Sequence, residues 1–336
     1  ILAANGVRAS RENDSERSNA MRTLKHIVEW SFVRSLLFFF GLLPYEKGKV
    51  WMGAVTGWLG MTFARKLQRR MMDVLRIAFP EHSEERNRQI IRTTFENLGH
   101  QAVEFLTLEK MDQAWVDKYF EFEPTGAEAV RKAVREKKGQ LFVLAHTGNW
   151  EMLNQPMTIH TGVHINLIIA PMSNPFGDKF LCNIRRSLGT TLIYPFDVGP
   201  NVLKALARGE AAAFASDQNA GRRGLFIPFL GQPASTHTGA AVFSYLSGAE
   251  IFFITNMRLP NGRFRTEILP MGSIDKKKVK DKDECIKEFT LRYVDILEKY
   301  IRKYPDQYFW LHNRFKTKPL PEDEIIPRRD FDLKPY

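Results

Sequence analysis

Apolar positions along this chain change their spacing twice. Residues 35–64 are almost continuously apolar and aromatic, residues 83–105 carry apolar side chains at helical spacing, and beyond residue 141 short apolar runs alternate with longer amphipathic segments. The first regime predicts two hydrophobic helices, at 35–45 and 50–64. After residues 69–79 comes Pro80-Glu81-His82-Ser83, a turn whose Ser83 caps a helix with Glu84 and Glu85 in its first turn. That helix sets Ile90, Ile91, Phe95, Leu98, Val103 and Phe105 on one face. Residues 111–120 and 125–137 read as further helices, and Gly139 stops the second.

Residues 141–145 are long enough for a buried strand and too short for a helix. The alternation continues with strands at 163–169, 190–194 and 211–215 and helices at 176–188 and 202–208. A Gly/Arg loop follows at 217–224, an extended run at 225–229 and a helix at 237–246. Residues 250–257 and 263–269 pair as strands around Pro260-Asn261-Gly262, and 283–303 form a long amphipathic helix. The expected architecture is α/β: a central mixed β-sheet flanked by helices, fronted by an N-terminal hydrophobic helical region. Ligands are then expected at the carboxyl ends of strands, where His146 and Asp217 both fall.

His146 opens the segment His146-Thr147-Gly148-Asn149-Trp150-Glu151, directly after the central strand. Thr147-Gly148-Asn149 supplies a turn, with Asn149 as a helix N-cap. On one helix His146 and Glu151 would point about 140° apart, but a strand–turn–helix lets them meet. Glu151 is then expected to hold one ring nitrogen, leaving the other to take a proton from a hydroxyl, with the turn's backbone N–H groups receiving a developing oxyanion. A chain with 8 histidines meets this spacing by chance about once, so a satisfied histidine in a capped turn is an equal reading of these residues alone.

Charge refines the N-terminal picture. The chain of 336 residues carries a formal net charge of +11. Residues 21–76 hold ten basic side chains against three acidic ones, interleaved with Trp30, Phe32, Phe38, Phe39, Phe40, Trp51, Trp58 and Phe63. Basic residues around such a stretch suit an anionic membrane surface, and they sit among apolar helices rather than sheet aromatics, which argues against nucleic acid. The longest uncharged run there, 50–64, falls short of the roughly 18–20 residues that a bilayer crossing requires. Two helices lying in one leaflet are expected, ahead of a single span or of ordinary core packing.

Ser18-Asn19-Ala20 before Met21 reads as a cloning remnant. The expected organisation is a tag-like segment at 1–20, membrane-associating helices at 21–69, an α/β domain at 70–318 and a tail at 319–336. The two cysteines, Cys182 and Cys285, suggest neither a disulfide framework nor a zinc site, and His160 with His164 gives a metal little support, since the two straddle Gly162 across a loop and strand and no His-Glu-x-x-His helix is present. No P-loop or Gly-x-Ser-x-Gly elbow is present, so a nucleotide enzyme or serine hydrolase has no anchor, and no cofactor is expected. In the 217–231 stretch, glycines beside Arg222 and Arg223 suit a phosphate as readily as they suit a solvated loop.

Several stretches together resemble the bacterial late acyltransferases of lipid A biosynthesis, lauroyl/myristoyl type, within the lysophospholipid-acyltransferase-like superfamily. They are Ala78-Phe79-Pro80-Glu81, Phe95-Glu96-Asn97-Leu98-Gly99 leading to Glu104, Ala145 to Glu151, Asn174-Pro175, Arg185 to Gly189, the Asp217 loop ending Phe226-Ile227-Pro228-Phe229-Leu230-Gly231, and Tyr304-Pro305-Asp306-Gln307-Tyr308 onward to Lys316. A departure is Ala170-Pro171, where many members carry an arginine. The resemblance implies an acyl chain moving from an acyl thioester, usually on acyl carrier protein, to a hydroxyl of a membrane glycolipid at the cytoplasmic face of the bacterial inner membrane. His146 would be the general base and Glu151 its orienting partner, with no acyl-enzyme. Asn149, Arg185, Arg186, Asp217, Arg222 and Arg223 would contact substrate. A lysophospholipid or amino-acid lipid as acceptor, a thioesterase, and a non-catalytic membrane-surface protein stand as alternatives.

Overall fold

The computed structural model describes residues 2–328, and side chains from residue 19 on. Of the tail expected at 319–336, residues 329–336 lie outside the described residues. Helix α1 (Leu2–Gly41) begins far upstream of the expected 35–45 segment and ends at Gly41, short of its expected end, and α2 (Tyr45–Phe63), which takes in Tyr45, follows after Pro44. Proline has no amide to donate and fixes its own φ, so it stands at the start of α2 and interrupts the helical path. Helices α3 (Arg65–Ala78) and α4 (Glu84–Phe105) come next. Ser83 caps α4 as expected, accepting from the Arg86 N–H at 3.1 Å.

Three glycines of α2, Gly53, Gly57 and Gly60, form a stripe at helical spacing that lies directly on α4. A Cβ at any of them would overlap His100, Glu96 or Phe95. Removing side chains on one stripe lets the two helices approach closely, so α4 is held between α2 and the domain behind it.

The domain is a seven-stranded mixed sheet in the order β1-β9-β8-β2-β5-β3-β4. Its strands are β1 (Phe120–Phe122), β2 (Gln140–Leu144), β3 (Ile165–Ile168), β4 (Thr191–Ile193), β5 (Ala211–Ala215), β8 (Glu250–Arg258) and β9 (Phe264–Gly272). All neighbours run parallel except β8 and β9. The central strand β2 is buried along its whole length, and the two-residue side-chain period divides it. Leu141 and Val143 join the core under α9 (Val198–Ala207), α10 (Gly239–Ser247) and α11 (Lys282–Lys303), while Phe142 and Leu144 join the core under α6 (Pro124–Arg135), α7 (Asn154–Thr161) and α8 (Pro175–Ser187). A strand covered on both faces reads as a continuous apolar run, which is why the sequence marked it clearly.

Three expectations need correction. The helix expected at 111–120 is the shorter α5 (Gln113–Tyr119), and it runs into the edge strand β1, whose three residues are too few to make a pattern. The extended run at 225–229 is half of a hairpin, β6 (Leu225–Phe229) with β7 (Gln232–Thr236), turned by Leu230 and Gly231 at φ 47° and 84°. A two-residue turn with both φ values positive matches strand twist, and a leucine there hides it from the sequence. The helix expected from Trp150 onward is a 3-10 turn, Trp150–Met152, followed by α7.

No helix among the described residues is long and apolar enough to cross a membrane. Helices α1 and α2 nevertheless leave many large apolar side chains in solvent. Phe38, Phe39, Trp51 and Trp58 are each more than half exposed, at 62%, 64%, 62% and 61%.

Candidate active site

Parallel pairing brings three strand ends to one place. Leu144 of β2 lies opposite Ala215 of β5 and Ile254 of β8. Two residues further along each chain stand His146, Asp217 and Asn256, at the carboxyl edge of the sheet. His146 and Asp217, 71 residues apart in sequence, therefore meet by register.

The Asp217 carboxylate takes the His146 backbone N–H at 3.1 Å on one oxygen and lies 2.7 Å from ring Nδ1 on the other. An ionised carboxylate only accepts, so Nδ1 carries the hydrogen and the neutral ring keeps its lone pair on Nε2. Burial opposes a charge on the ring, but the facing carboxylate outweighs it and raises the His146 pKa above the ordinary histidine value. Burial likewise works against the Asp217 charge, and the imidazole with its hydrogen bonds holds that carboxyl below its usual range. Trp150 and Phe309 flank the imidazole at ring-centroid distances of 4.9 and 5.8 Å. At Nε2 the Gln218 side-chain amide nitrogen stands 3.4 Å away, able to donate to the ring's lone pair.

Glu151 does not hold the histidine. Its carboxylate forms a fork with Arg185 of α8, at 2.6 and 2.8 Å from Nη2 and 3.2 Å from Nε, and also accepts from the Trp150 indole at 3.2 Å. The reason is geometric: Trp150–Met152 turns as a 3-10 segment, which points Glu151 toward α8 while Asp217 already occupies Nδ1. The Glu151 charge is still felt at the ring as a smaller influence of the same sign as that of Asp217. Burial opposes the charge on Arg185, and Glu151 more than compensates, raising its pKa.

The turn's backbone is also otherwise engaged. The N–H groups of Thr147, Gly148 and Glu151 donate to Ala145 O, Gln307 O and Asn149 Oδ1 at 2.8, 2.8 and 3.1 Å, and that of His146 goes to Asp217. The expected oxyanion role therefore has no free donor at these four positions. Gly148 sits at φ +55°, and a Cβ there would overlap the Asn256 carbonyl oxygen, so no other residue fits without a backbone shift. A C-terminal strap crosses the turn, with Thr147 bridged to Tyr308 and the Phe309 N–H donating to His146 O at 2.9 Å.

The remaining expected residues divide by location. Asn149 caps the 3-10 turn but is fully buried, and its amide donates to Glu104 at 2.6 Å, so it supports the turn from beneath. Arg186 is exposed and donates to the Tyr194 hydroxyl at 3.1 Å. Arg222 reaches the C-terminal segment, pairing with Asp323 at 2.6 Å and donating to Lys318 O at 2.9 Å. Arg223 is exposed beside it. Sequence reasoning missed Gln218, Gln307, Phe309 and Arg258. Arg258 carries no local signal in the sequence, since its role depends on β8 lying beside β2. Among the described residues no group of three or more histidine, cysteine or acidic side chains converges to hold a metal.

An imidazole fixed by one carboxylate, its second nitrogen beside an aromatic wall and met only by the Gln218 amide at 3.4 Å, can take a proton from a hydroxyl and return it. Comparison with known proteins bears on the family and on the class of reaction. The chain is 28% identical over 311 residues to the lipid A biosynthesis palmitoleoyltransferase of Escherichia coli (strain K12), covering 90% of this chain and 95% of that protein. It is equally similar, over the same coverage, to the lipid A biosynthesis acyltransferase of Shigella flexneri. The lipid A biosynthesis lauroyltransferase of Escherichia coli (strain K12) is 28% identical over 290 residues, 83% of this chain and 87% of the other. A family model described as bacterial lipid A biosynthesis acyltransferase matches residues 16–317, so this chain is an acyltransferase and belongs to that family.

Proposed function

We propose that the protein moves a fatty acyl chain from an acyl thioester, carried on acyl carrier protein, to a hydroxyl of a lipid A precursor. The observation that carries the reading is the Asp217–His146 contact, which occupies Nδ1 and leaves Nε2 facing only the Gln218 amide nitrogen at 3.4 Å, a weak contact that a substrate hydroxyl can replace. The acceptor hydroxyl gives its proton to Nε2 as its oxygen attacks the thioester carbonyl, the carbon–sulfur bond breaks, and the imidazolium returns the proton to the departing thiolate. Asp217, in place of Glu151, orients the ring and stabilises the imidazolium. No serine, threonine or cysteine side chain among the described residues bonds to Nε2, which supports direct attack without an acyl-enzyme. Arg185, with its charge held beside the ring by Glu151, suits a phosphorylated acceptor.

The apolar side chains left exposed on α1 and α2 support attachment along one leaflet of a membrane, on the cytoplasmic face of the inner membrane where a lipid acceptor and a soluble donor meet. The test is an assay of purified protein with acyl carrier protein bearing a defined acyl chain and detergent-solubilised lipid A precursor, read by mass spectrometry. A mass gain of one acyl chain, lost in His146→Ala, is expected. Undiminished transfer by His146→Ala removes the mechanism, and release of free fatty acid without acceptor at the full rate makes the enzyme a thioesterase.

A further inference from the structure

Beneath the histidine turn lies a charge pair that the reaction itself does not use. Glu104, near the end of α4, is fully buried, and both of its oxygens are occupied. Arg258, the last residue of β8, grips it with two nitrogens, Nη1 on Oε1 and Nη2 on Oε2 at 2.9 Å. Asn149 Nδ2 donates to Oε2 at 2.6 Å. Asn149 then caps the 3-10 turn carrying Glu151 through Oδ1, and its carbonyl accepts from Asn256 Nδ2 at 2.9 Å. One turn earlier on α4, Gln101 Nε2 donates to Gly148 O at 2.6 Å. The Arg258 peptide is itself clamped on both sides by the Gln307 amide, at 2.8 and 2.9 Å.

A charge pair is a costly way to fill such a position. Burying two ions loses hydration that their attraction only partly restores, and apolar residues of similar volume commonly serve stability as well or better. The pKa of nearby His100 is driven down to about 4, first by burial and then by Arg258 and Lys49, so that ring adds no positive charge near neutrality. What the pair offers that an apolar pair lacks is direction, since the bidentate fork sets the Glu104 carboxylate plane and one of its oxygens receives Asn149.

We propose that Glu104 and Arg258 are positioning residues for acyl transfer, fixing the 146–151 turn through Asn149 so that Nε2 of His146 stands in line with the reacting hydroxyl. The kinetic part rests on the transfer reading above. Misplacing a catalytic group by about 1 Å costs about a hundredfold in rate, so a loosened turn lowers kcat while substrate contacts, and hence KM, stay close to wild type.

The test compares Arg258→Lys, Glu104→Gln and the apolar double variant Glu104→Leu/Arg258→Met with the full-length wild-type protein. Expected are a kcat lower by about ten- to a hundredfold in all three with little change in KM, and a melting temperature for the double variant close to wild type. Recovery of kcat together with thermal stability in the double variant would show a purely structural pair and overturn the proposal. Should the double variant not fold, Arg258→Lys decides, because it keeps a cation and loses only the fork; wild-type kcat there overturns the proposal too. Hydrogen exchange at the Gly148 and Glu151 amides gives a readout independent of activity. Faster exchange there, against unchanged exchange in β5, is expected even if the transfer assay itself fails, and unchanged exchange at both amides rejects the positioning role.

Discussion

Asp217 meets His146 with both carboxylate oxygens, one at the ring Nδ1 and one at the backbone N–H, 2.7 and 3.1 Å away. The double contact fixes ring orientation and tautomer together, which a partner bonded only to Nδ1 would not do. Asp217→Asn is therefore expected to cost more than Glu151→Gln. An amide can present its N–H to Nδ1, which moves the ring hydrogen to Nε2 and removes the base; general-base catalysis is worth about a hundred- to ten-thousandfold. Steady-state kinetics on the two variants, with circular dichroism to confirm folding, checks the ranking. A larger kcat loss in Glu151→Gln would return the orienting role to Glu151.

The same contact predicts a pH profile. The His146 pKa is raised above about 6.5, and the base works only as the neutral ring, so kcat/KM should fall on the acid side with a midpoint above that value. Asp217→Asn should carry the midpoint downward. Stability follows the opposite sign at the histidine. Its raised pKa contributes stability that is full below about 6.5 and lost as pH rises through the folded value, whereas the depressed Asp217 pKa contributes stability present above about 3.9 and lost as pH falls through its folded value. The pair titrates as a unit, so the wild-type advantage in melting temperature over Asp217→Asn should peak between about pH 4 and 6.5. An advantage that grows steadily above pH 7 would contradict the assignment.

Gly148 and Gly162 both have positive φ, at 55° and 76°, but they face different surroundings. A Cβ at Gly148 would strike the Asn256 backbone oxygen, whereas nothing lies within 4 Å of one at Gly162. Gly162→Ala should therefore cost only backbone strain, about 1–2 kcal/mol. Gly148→Ala must also displace β8 or the turn, and is expected to lose more stability and to lower kcat by about a hundredfold. Thermal melts and kinetics on the two variants side by side make the comparison, and equal behaviour would mean that the turn tolerates movement.

What the sequence revealed follows from how locally each feature is encoded. The β2 run, the Ser83 cap and the strand end at His146 each need only a few neighbouring residues to form, and each was legible. The His146–Asp217 pairing depends on β2 and β5 being neighbours in parallel register, a relation between segments 71 residues apart that no local pattern contains. Spacing instead favoured Glu151, whose direction hinges on a 3-10 turn in place of an α-helical one. The glycine stripe on α2 and the Glu104–Arg258 pair were hidden in the same way, since a glycine spacing or a lone acid acquires meaning only once the facing element is known.

The exposed tryptophans of α2 give the last prediction. Trp51 and Trp58 are 62% and 61% exposed, so replacing both with glutamate should hardly affect folding. Amphipathic indoles are well suited to the boundary between headgroups and acyl chains, and carboxylates there would be repelled by anionic lipid. Trp51→Glu/Trp58→Glu is expected to lose co-flotation with vesicles containing anionic phospholipid and to lose transfer to a vesicle-embedded acceptor, while keeping transfer to the same acceptor in detergent. Leu320→Glu, at an exposed apolar residue outside α1 and α2, serves as the control and should float like the wild type. If the double variant floats and acts on vesicles as well as the wild type does, the exposed face of α2 is not the membrane contact. If activity in detergent falls in parallel, the tryptophans act on the site itself, through the α2–α4 packing that reaches Gln101 and Glu104.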